Sequence, residues 1–76
     1  MTPDVRFIAY EGVVWRRSEH GWHSMTPKTC AGLLRGFRED AANKADWFHN
    51  KAARLADQLE AAVKLADEQR QKRSAA

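Results

Sequence analysis

The chain has 76 residues, with 13 Lys and Arg against 10 Asp and Glu, a net charge of +3 and an isoelectric point near 9.4. A length this short fits one domain and excludes a multi-domain enzyme, a nucleotide-binding α/β fold and a solenoid. Leu, Ile, Val and Phe number only 13, so the apolar core is thin and a second copy, a partner or a metal would help the chain fold.

Residues 1–25 hold most of the aromatic and β-branched side chains. Met1–Ala9 contains Asp4 and Arg6 and no long apolar run, which argues against a signal peptide and a membrane span. Cys30 is the single cysteine, and a lone thiol fits a cytoplasmic setting. Val5–Tyr10 and Val13–Arg17 read as extended segments. Glu11-Gly12 between them is a tight turn or a bulge. Ser18-Glu19-His20-Gly21 is a second turn signal, and Trp22–Met25 returns as a short strand. The result is a β-hairpin or three-strand meander over about 5–25. So few strands need a helix to cover them.

Thr26-Pro27 marks a helix start. The Thr hydroxyl can accept a first-turn N–H, and Pro fits the first helical position. From Cys30 through Leu34, Phe37, Ala41 and onward to Ala66, apolar residues recur at steps of three or four, the α-helical period. Asn43 is the one break signal after Gly36, and with Asp46 three residues on it can cap a second helix. The Ala residues around it favour an uninterrupted helix. The expected fold class is therefore α+β: the meander, then a long amphipathic helix over about 27–72, kinked or broken near 40–44. The expected division of the single domain 1–76 is a β part (1–25), a helical part (26–72) and a frayed tail (73–76).

An unbroken helix of that span would extend about 69 Å, far more than a small meander can cover. Read as heptads, Phe48, Ala52, Leu55, Leu59, Ala62 and Ala66 form a seam suited to self-association, so a homodimer is expected. Trp47 lies beside Phe48 but off the apolar phase. With Arg54 and Leu65 it is the candidate partner-binding set.

The charge is uneven. Residues 1–38 carry six basic and three acidic side chains, and residues 39–76 carry seven of each. Arg16, Arg17, Lys28, Arg35 and Arg38, with Trp22 for stacking, are the candidate nucleic-acid-binding residues. There is no helix-turn-helix pattern, zinc-finger spacing or aromatic RNA-binding motif. His20, His23, Cys30 and His49 are the only soft metal ligands, and their spacing matches no zinc site. No metal and no cofactor is expected. No catalytic residue is assigned, because a chain this small has little room for a pocket or an oxyanion hole.

In size and plan the chain is similar to small accessory proteins of bacteriophages and mobile elements, a resemblance that covers no motif. It implies a non-catalytic module that binds or inhibits a larger protein. The alternative is a small DNA- or RNA-binding regulator using the Arg16/Arg17 hairpin. No membrane partner is expected.

Overall fold

The computed structural model of the chain describes residues 5–45 and 47–75, with side chains through Arg73. Strands β1 (Phe7–Tyr10), β2 (Val13–Ser18) and β3 (Gly21–Met25) form an antiparallel meander in the order β1-β2-β3. Helices α1 (Pro27–Ala42) and α2 (His49–Ala75) follow.

Glu11-Gly12 is the tight turn and not a bulge. Tyr10 pairs with Val13, and both loop residues have positive φ, 53° and 78°, as a two-residue type I′ loop requires. Glu19-His20 joins β2 to β3, where the Ser18 hydroxyl accepts the His20 N–H at 3.2 Å. Strand pairing then sorts the side chains into two faces, because residues directly opposite each other share a face. Ala9, Val14 and Met25 form one row of the inner face, and Phe7, Arg16 and His23 form the next. The inner face meets the helices through Phe7 and Val14, both buried.

Thr26 caps α1 as expected. Its hydroxyl accepts the Thr29 N–H at 3.2 Å, and Pro27 opens the helix. The apolar ladder does not run through as one helix. The Asn43 N–H donates to the Asp40 carbonyl at 3.2 Å, and the Asn43 side-chain oxygen accepts the Ala45 N–H at 3.3 Å. The Asn side chain thus offers the backbone a partner outside the helix and ends α1. α2 restarts where the Phe48 carbonyl accepts the Ala52 N–H at 2.9 Å. Asp46, the expected capping partner, lies outside the described residues.

Burial explains why the break wins over the helix preference of Ala. Phe37 and Leu55 line one groove, Arg38 pairs with Glu60, and Cys30 lies near Val63 and Ala66, so α1 and α2 run antiparallel. Folding back leaves Leu59 with no exposed surface and Ala52, Ala62 and Ala66 nearly none. Burying one Leu is worth about 1.5–3 kcal/mol, while the propensity lost in a short turn is a few tenths per residue. The cover that a long helix would need from another chain comes from within.

The apolar face of α2 stops at Ala66, and the helix continues to Ala75; Ala76 lies outside the described residues. Polar contacts hold it to the β1–β2 turn. The Gln69 amide accepts the Gly12 N–H at 2.8 Å and donates to the Ala9 carbonyl at 3.3 Å. Arg70 donates to the Gly12 carbonyl at 3.0 Å and Arg73 to the Glu11 carbonyl at 3.4 Å.

Candidate functional site

The C-terminal part of α2 holds the Gly12 turn, so its N-terminus falls at the opposite, open end of the hairpin. There the Gln58 side chain accepts the Arg6 N–H at 3.0 Å, fixing the helix against the start of β1. A groove of about 220 Å³ opens at this end. Arg6, Arg16, Arg17 and Lys51 line it, with Phe37, Phe48 and Leu55 among its apolar walls. The cations come from three places in the sequence: the lead into β1, the end of β2 and the first turn of α2.

Among the described residues no acidic side chain lines this groove. The first turn of α2 carries none either, and the positive end of the helix dipole adds to the potential there. Three arginines elsewhere have acidic partners. Arg35 pairs with Glu39 at 3.3 Å, Arg38 with Glu60 and Arg70 with Asp67. A cleft lined by one sign of charge over low-dielectric walls focuses field lines and concentrates anions.

The aromatic rim is equally specific. Trp47 belongs to the connection between the helices, not to a helix face, and is 88% exposed. Its ring meets that of Phe48 edge-on, with centroids 5.6 Å apart. The Lys51 ammonium lies 5.7 Å from the Phe48 ring centroid, within cation–π range. Trp22 stands directly opposite Arg17 and is 41% exposed. Tyr10, 60% exposed, marks the far end of the solvent-facing sheet surface, which also carries Ile8 and Trp15.

Only part of the expected nucleic-acid-binding set comes together. Arg16 and Arg17 line the groove; Trp22 is not among its lining residues and stands opposite Arg17 on the other face of the sheet from Phe7. Lys28 does not join them, because β3 runs from Trp22, opposite Arg17, to Met25, opposite Val14, before α1 begins. Arg35 and Arg38 face acidic partners on the helices. Two cations were missed. Arg6 was legible: a two-residue loop at Glu11-Gly12 fixes the register and sets Arg6 across from Arg17, whose N–H donates to the Arg6 carbonyl at 2.9 Å. Lys51 was not, since it reaches the groove only because α2 folds back.

The expected partner-binding set divides. Trp47, in the connection before α2, and Arg54, in its second turn, lie on either side of Lys51 in the sequence, and both are exposed. Leu65 lies 16 residues along α2 from His49, about 24 Å at the helical rise. It borders a separate apolar groove with Val5, Ile8 and Ala61. The expected self-association seam is occupied within the chain. Ala52, Leu59, Ala62 and Ala66 are buried, and Phe48 and Leu55 are half-buried in the groove wall. A second copy reaches that seam only by opening the core.

Among the described residues no three His, Cys, Asp or Glu side chains gather to hold a metal. His23 bonds the Ser18 hydroxyl at 2.8 Å, and Cys30 is buried under the sheet. Burial pushes the Cys30 thiol pKa up, against a smaller lowering by its own backbone hydrogen bond and by Arg70. Among the described residues no helix is long and apolar enough to cross a membrane. Comparison with known proteins finds no matching family model, no matching curated protein and no matching solved structure.

Proposed function

We propose that this protein is a small non-catalytic binding module that holds nucleic acid at the open end of its sheet. One observation carries the reading: Arg6, Arg16, Arg17 and Lys51, drawn from three parts of the sequence, converge on a groove with aromatic walls. Cations gathered on one groove concentrate anions, and a polyanion offers them several phosphates at once. Phosphate contacts of this kind give salt-dependent affinity with little base preference.

The experiment is a binding titration at several salt concentrations with the wild type and the Arg16→Ala/Arg17→Ala double variant. The double variant is expected to bind every sequence more weakly, with a salt slope lower by about two. Absence of binding to DNA and RNA at low salt refutes the reading. A second reading is favoured by Trp47. A ring 88% exposed suits the anchor of a protein interface, and the partner is then a larger protein. An interface of that kind loses little affinity as salt rises.

A further inference from the structure

The groove and its rim together discriminate between forms of nucleic acid. We infer that the site takes a single strand, with a backbone phosphate among Arg16, Arg17 and Lys51 and an unpaired base stacked on the indole of Trp47. The inference rests on the nucleic-acid reading and adds the strandedness and the stacking residue. The first support is size. At about 220 Å³ the groove is smaller than the usual 300–1,000 Å³ of a pocket that encloses a whole ligand. It admits a phosphate and its sugar while the base remains outside, at the rim.

The second support is what stands at that rim. The Phe48 ring meets that of Trp47 edge-on, at an interplanar angle of 72°. With 88% of the residue exposed, a face of the indole is open to a flat ligand. Phe48 joins the two parts of the site, since its ring touches Trp47 and lies under the Lys51 ammonium. A ring and a cation set side by side match the alternation of base and phosphate along a strand. In a duplex the base faces are stacked on one another and only their edges are offered, so Trp47 has nothing to cover there.

The test uses the full chain with oligothymidine, oligouridine and a mixed-sequence duplex, each of about 12 nucleotides or base pairs, within the span of small single-strand binders. Trp47→Ala is expected to weaken binding of both single strands by about 5-fold to 100-fold and to leave duplex binding unchanged. Trp47→Phe, which keeps a stacking ring, is expected to recover most of the loss. If Trp47→Ala binds single strands like the wild type while Arg16→Ala/Arg17→Ala does not, the inference is overturned and the nucleic-acid reading stands. A duplex preferred over both single strands also overturns it. If no oligomer binds at low salt, both fall and Trp47 is left to a protein partner.

Discussion

Replacing Gly12 with Ala tests how α2 is fastened to the hairpin. Gly12 has a φ of 78°, and a Cβ there would lie 2.5 Å from Cγ of Arg70. That atom is near the root of the Arg side chain, so Arg70 has to rotate away at its base. Its hydrogen bond to the Gly12 carbonyl is then lost. A left-handed conformation costs a residue with a Cβ about 1–2 kcal/mol. The half-exposed hydrogen bond adds about 1 kcal/mol. The sum of about 2–3 kcal/mol is a large share of the stability of a small domain and lowers the melting temperature by roughly 10–20 °C. Circular dichroism melts and urea titrations measure it. Arg70→Ala alone is expected to cost about 1 kcal/mol. It also removes the clash, so the double variant is expected to cost clearly less than the two single changes together. Additivity within about 0.5 kcal/mol refutes the steric argument, as does a Gly12→Ala melt equal to the wild type.

Leu59→Ala is expected to destabilise the chain by about 2–5 kcal/mol in urea, because Leu59 is fully enclosed. Leu59→Asp is expected to abolish the folded state instead of splitting a dimer, and sedimentation of a folded monomeric variant contradicts this. Cys30 makes the fold sensitive to alkali. Its folded pKa is raised above the ordinary 9.0, so its contribution is full below that value and is lost as pH rises through the folded one. The unfolded thiol ionises first and draws the chain open. Urea melts of wild type and Cys30→Ala from about pH 7 to pH 10 are expected to show the wild type losing stability relative to the variant at the alkaline end. A constant difference refutes it.

The fold was legible wherever local chemistry decides it. Thr26-Pro27, Glu11-Gly12 and the apolar period gave the cap, the turn and the helix from single short stretches. The break at 43–48 was visible only as Asn43 among Ala residues, and its outcome depends on burial that no local pattern records. The polar end of α2 misled for a related reason. No local pattern marks Gln69, Arg70 and Arg73 as contact residues, yet they act on the backbone of a turn more than 50 residues away in the chain. The site divides along the same line. Arg16 and Arg17 stood out as neighbours, Arg6 followed from hairpin register, and Lys51 required the antiparallel return of α2.

That return separates stability from binding along one helix. The middle of α2 carries the core through Leu59, Ala62 and Ala66, and its last turns hold the Glu11-Gly12 loop. Its first turn carries Lys51, an exposed side chain that supports none of the core. Arg16 and Arg17 are likewise exposed, Arg16 in the sheet row of Phe7 and Arg17 on the other face. Surface changes of this sort usually alter stability by less than about 0.5 kcal/mol, and removing mutual repulsion works in the fold's favour. The Arg16→Ala/Arg17→Ala variant therefore keeps the wild-type melt while losing nucleic acid. A loss of binding in a fully folded variant is a property of the groove, and that is what makes the salt titration decisive for it.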